Sequence, residues 1–124
     1  MTEARHILAG GAPEGFDAAL VLDELGRGGP VLHVARDDKR AEAMATALAF
    51  FDPGVAVLRF PGWDCLPYDR VSPNPEISAA RMATLSALAH GLSGRFVVLT
   101  TLNAATQYVP PRDLLAASTF AAEV

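Results

Sequence analysis

The chain has a single cysteine, no run of basic residues, no long apolar stretch and few aromatics. One thiol, Cys65, cannot make an internal disulfide, so the expected setting is a reducing one, the cytoplasm. Acidic residues outnumber basic ones 14 to 10, and Lys39-Arg40 is the only adjacent basic pair. Neutralising phosphates supplies much of the affinity for nucleic acid, so a segment without a basic stripe is not expected to bind DNA by itself. No apolar run approaches the roughly 20 residues that span a bilayer. The N-terminal MTEARHILAGG also lacks the apolar centre of a signal peptide, so no membrane partner is expected.

What remains is enough for one domain. The 124 residues are 51% hydrophobic and 19% charged, a globular balance. Four short apolar runs read as buried strands: residues 6–9, Val31–Ala35, residues 55–60 and Phe96–Thr101. Helical spacing fills the intervals. Ala18, Val21, Leu22 and Leu25 share one face before Gly26; Ala41, Met44, Ala45, Leu48 and Ala49 share another after a cap at Asp37 or Asp38.

The clearest start signal is Ser72-Pro73-Asn74-Pro75-Glu76, with Asn74 as cap, Pro75 in the first turn and Glu76 complementing the helix dipole. Leu85, Leu88, Ala89 and Leu92 are the expected buried face of that helix, and a brief helix is expected near residues 103–108. Strands alternating with helices predict an α/β fold, with a mostly parallel sheet and flanking helices. After Pro110-Pro111, residues 114–124 read as a linker and the start of a next domain, the first domain covering 1–113. The last six residues are expected to begin a strand.

Candidate chemistry is sparse. Gly10-Gly11-Ala12-Pro13-Glu14-Gly15 has the spacing of a phosphate-binding P-loop, between an expected strand and an expected helix. Ten glycines make such a pair unsurprising, and the next two residues oppose the chemistry. Phe16 stands where a lysine would reach the terminal phosphates, and Asp17 where a hydroxyl would hold magnesium. Asp17 would also repel a phosphate, by on the order of 4 kcal/mol per charge pair at about 4 Å and an effective dielectric of about 20. Pro13 removes one N–H from the cradle.

Cys65 lies beside Asp64, which raises a thiol pKa. His6, His33 and His90 have no pairing at i+3 or i+4, so no metal site is expected. Asp23-Glu24 and Asp37-Asp38 read as solvated helix positions or caps. No catalytic residue and no cofactor are assigned to the segment.

The long loop from Pro61 to Pro75 carries the only Trp, and loops of that length are usually functional. Trp63-Asp64-Cys65-Leu66-Pro67-Tyr68-Asp69-Arg70-Val71-Ser72-Pro73 runs into Arg81, Met82, Thr84 and Leu85. This resembles the N-terminal region of the bacterial transcription-repair coupling factors (Mfd). There a Trp-acidic-x-Leu-Pro-Tyr-acidic-x-x-Ser-Pro loop leads to a helix with the same basic and apolar pattern. Asn103, Ala104 and Val109-Pro110-Pro111 resemble that family's continuation, with Asn103 one place off its commonest position. The resemblance runs from about Gly10 to Phe120.

It implies a P-loop NTPase fold of RecA or helicase type, similar to the excision-repair helicase UvrB, with Gly10, Gly15, Phe16 and Asp17 as a vestigial Walker A loop. It also implies a non-catalytic scaffold and interaction module. The longer protein would displace RNA polymerase stalled at DNA lesions by ATP- and Mg-dependent translocation on duplex DNA, then recruit the excision-repair protein UvrA. The motor and most partner contacts would lie outside this segment, which would touch neighbouring domains. Trp63, Leu66, Pro67, Tyr68, Asp69 and Arg81 are the interface candidates. The alternatives are a small nucleotide-binding enzyme or switch with an irregular P-loop, and a free-standing flavodoxin-like binding domain.

Overall fold

A computed structural model describes residues 5–63 and 74–118. The order is α1 (Phe16–Gly26), β1 (Val31–Ala35), α2 (Asp38–Phe51), β2 (Ala56–Phe60), α3 (Pro75–Ala89), β3 (Phe96–Thr101), α4 (Leu102–Ala105) and α5 (Arg112–Ser118). The three strands form one parallel sheet in the order β1-β3-β2. Val31 aligns with Val97 on one side, and Val57 aligns with the same residue on the other. The strand without an ionisable residue takes the centre, and all six residues of β3 are buried.

Topology follows from handedness. The β1–α2–β2 crossover passes over β3, whereas β2–α3–β3 steps back the other way. Right-handed connections then require α2 and α3 on opposite faces of the sheet. α1 packs against α2, and both meet the sheet. Ala18 and Leu25 from α1, Met44, Ala45 and Leu48 from α2, and Val97 and Leu99 from β3 make the core there. α3 lies over β2 and packs against α5.

The helix starts have local causes. The Asp37 side chain accepts the Arg40 N–H at 2.9 Å and the Asn74 side chain accepts the Glu76 N–H at 2.9 Å, capping α2 and α3. Thr101 caps α4 by accepting the Ala104 N–H at 3.2 Å. α1 has no side-chain cap and begins at Gly15, whose φ of 85° a residue with a Cβ rarely adopts. α3 ends where Gly91, at φ 77°, turns the chain out.

Two expectations need correction. Residues 6–9 form no strand: residues 5–10 carry no regular structure, and Leu8 is 99% exposed. An apolar run becomes a strand only with a ladder neighbour, and among the described residues the outer edge of β1 has none. The buried residues of α3 are Arg81 and Thr84, while Leu88 and Leu92 are exposed. α5, Arg112–Ser118, spans residue 114, where the linker is expected to begin. The expected strand in the last six residues lies outside the described part.

Candidate functional site

Two regions at the carboxyl ends of the strands, on opposite sides of β3, draw together the candidate residues. The first is a broad groove of about 1320 Å³ beyond β1. It is lined by Gly15 and Asp17 at the start of α1, by His33 to Asp37, and by α2 from Lys39 to Phe51. The glycine turn sits here as its spacing suggests, with Gly11 at φ 71° and the Pro13 carbonyl accepting the Phe16 N–H at 3.0 Å. The strand that gives a P-loop its context is absent from its N-terminal side among the described residues.

The chemistry of the turn belongs to the helix. Asp17 accepts the N–H of Ala18 at 3.0 Å, placing a carboxylate where the α1 dipole favours an anion. Phe16, in the lysine position, is half exposed, and Gly10 lies just before the turn in the irregular segment. Burial holds His33 below the ordinary histidine pKa, against the smaller opposing pull of the Asp17 carboxylate. Arg36 is engaged by Asp37 at 3.1 Å. No group of His, Cys, Asp or Glu fit to hold a metal occurs among the described residues.

The second region forms where β2 ends. A strand terminus leaves carbonyls without ladder partners, and buried ones must find donors. Here three successive carbonyls are met by side chains. Thr84 donates to Arg59, Thr100 donates to Phe60 at 3.0 Å, and Arg81 Nη1 donates to Pro61 at 2.7 Å. Two of these donors come from α3 and one from β3, so the end of β2 is fastened from both neighbours.

Arg81 is the centre of this arrangement. It is 1% exposed, and among the described residues no carboxylate lies within ion-pair distance of it. Its guanidinium carbon sits 4.1 Å from the Phe60 ring centroid and 4.7 Å from that of Trp63. Both lie within the range where a ring quadrupole attracts a cation. Gln107 Oε1 accepts from Arg81 Nη1 at 3.2 Å and from the Trp63 N–H at 2.9 Å. Desolvation pushes the Arg81 pKa down, but a guanidinium starts so high that it stays charged at neutral pH.

Of the interface candidates, Trp63 is therefore half-buried beside a buried Arg81. Leu66, Pro67, Tyr68 and Asp69, with Cys65, lie outside the described residues. Sequence reasoning did not single out Gln107, Thr100 or Phe60. Thr100 and Phe60 are readable as strand-end residues, but no pattern marks Gln107, because its partners are 44 and 26 positions away.

No helix among the described residues is long and apolar enough to cross a membrane. No protein-family model matches the chain, and no solved structure matches it. Curated relatives do. The transcription-repair-coupling factor of Rickettsia bellii (strain RML369-C) is 33% identical over 86 residues, covering 69% of this chain and 8% of the relative. That of Mycobacterium tuberculosis (strain CDC 1551 / Oshkosh) is 32% identical over 99 residues, 75% of this chain and 8% of the relative. The Myxococcus xanthus protein of the same name is 36% identical over 77 residues, 57% and 6% respectively. The chain thus spans less than a tenth of the length of the relatives it matches. Agreement of these relatives, across a stretch that includes most of the chain, places it with the transcription-repair-coupling factors as the counterpart of a small part of them.

Proposed function

We propose that this chain is a non-catalytic scaffold and interaction module from the N-terminal region of a transcription-repair coupling factor. The observation that carries the reading is at the α1 turn. Asp17 supplies the negative charge that the helix N-terminus favours, in the place where a nucleotide-binding loop would receive phosphate. With Phe16 in the lysine position, the turn has the form of a P-loop and the chemistry of a helix start.

On this reading the fold is a P-loop NTPase type with a vestigial Walker A loop. The whole protein would be an ATP-dependent DNA translocase that displaces stalled RNA polymerase and brings in the excision-repair protein UvrA. The segment's own work would be to support and partly cover a neighbouring domain. Trp63 and the apolar residues that follow it, Leu66, Pro67 and Tyr68, are its proposed anchors, since rigid aromatics dominate interface energetics.

The double substitution Trp63→Ala with Tyr68→Ala tests the interaction role, with unfolding free energy and affinity for the adjoining domains measured separately. The expected result is an affinity loss of about tenfold or more, beyond what the stability change explains. A stability loss with unchanged affinity would contradict it.

A further inference from the structure

We propose that Arg81 is a positioning residue: its guanidinium fixes Trp63 and thereby sets the direction in which the chain leaves β2. The inference rests on the interaction role given above to Trp63 and the residues after it. It names the residue that presents them.

The contacts of Arg81 converge on one short stretch. It touches Phe60 and Trp63 through their rings and Pro61 through its carbonyl, and it shares Gln107 with the Trp63 N–H. A side chain that merely filled space under α3 would cost less as Met or Leu, because burying a cation demands compensating acceptors and rings. Planarity matters as well as charge. A guanidinium can lie over aromatic faces while donating in its own plane, and an ammonium cannot do both.

The same stretch is fixed from its other side. A Cβ added at Gly62 would meet Asn103 Nδ2 at 3.3 Å and the Cα and Cβ of Ala104 at 3.7 Å. The turn therefore lies close against α4. Residues 60–63 are held between a helix that supplies the cation and a helix start packed against Gly62, with Gln107 bonded to both the cation and the turn.

Trp63 is the only tryptophan, so its emission reports its own surroundings. Arg70 is the only Lys or Arg between residues 64 and 73, so tryptic cleavage after it reports access to that stretch. Three variants of the chain separate positioning from plain stability. Arg81→Lys keeps the charge, Gln107→Leu removes the shared acceptor, and Thr84→Val removes a partly buried bond on the same helix that does not involve Trp63.

Arg81→Lys and Gln107→Leu are expected to red-shift Trp63 emission. Both should also raise native-state cleavage after Arg70 by about tenfold or more relative to Thr84→Val at matched stability, given the strength of bonds to charged groups. Gln107→Leu, at a half-buried site, carries the test if Arg81→Lys does not fold. Unchanged emission, with cleavage that follows stability alike in every folded variant, would overturn the proposal. Neither readout uses a partner, so failure here removes the positioning role alone. An unchanged affinity in the Trp63/Tyr68 double variant removes the interaction role alone.

Discussion

Leu48 and Arg81 are almost equally hidden from solvent, at 0% and 1% exposure, for opposite physical reasons. Leu48 is buried because water gains by its removal, and it packs among Ala18, Met44 and Leu99. Arg81 is buried because the end of β2 needs donors. Leu48→Ala is expected to destabilise by about 2–5 kcal/mol in denaturant unfolding, through lost transfer energy and the cavity left behind. Leu32, on β1, is as apolar but 66% exposed, and Leu32→Ser should change stability by no more than about 0.5 kcal/mol. Thr84→Val should cost about 1 kcal/mol, since the Arg59 carbonyl loses its side-chain donor in a partly buried site.

At the scale of elements, the helix caps make the sharpest expectations. Asn74→Ala should lower stability by about 1 kcal/mol, because the Glu76 N–H loses its acceptor. Asp37 caps α2 with its carboxylate, and its pKa is held below the ordinary value, first by the Arg40 N–H and then by the Arg36 side chain. A depressed carboxylate pKa stabilises the fold above the unfolded-state value, and that contribution is lost as pH falls through the folded value. The melting difference between the native chain and Asp37→Asn should therefore be largest near neutrality and fade in acid, as pH falls through the lowered Asp37 pKa.

These caps were legible because a cap is local: Asn74, Pro75 and Glu76 announce α3 without reference to anything distant. β1, β2 and β3 were legible as short Val- and Leu-rich runs. Residues 6–9 have a similar apolar composition and no strand, because pairing is a property of the neighbour and not of the run. The leucines of α3 misled for a related reason. Helical spacing finds an apolar face but cannot see that the strand end beneath it is rich in carbonyls, which draw Arg81 and Thr84 inward.

For the whole molecule, the parallel sheet is the feature that reaches beyond the described chain. Such sheets are normally covered on both faces. Here α1 and α2 cover one face, α3 covers the β2 side of the other with α5 packed on it, and Leu32 and Val34 of β1 stay exposed. The relatives of this chain are more than ten times longer than the stretch it matches. The family itself was readable from the loop at Trp63 and the helix at Arg81. The hub at Gln107 was not, because it exists only after β2, α3 and α4 have packed together.

On the proposed reading, the glycine turn before α1 binds no nucleotide. Calorimetric titration of the chain with Mg-ATP, carried to millimolar concentration, tests it directly. No saturable heat is expected across that range, because Phe16 offers no charge and Asp17 already serves the helix N-terminus. Saturable binding abolished by Gly15→Val would contradict it and restore a nucleotide-dependent enzyme or switch.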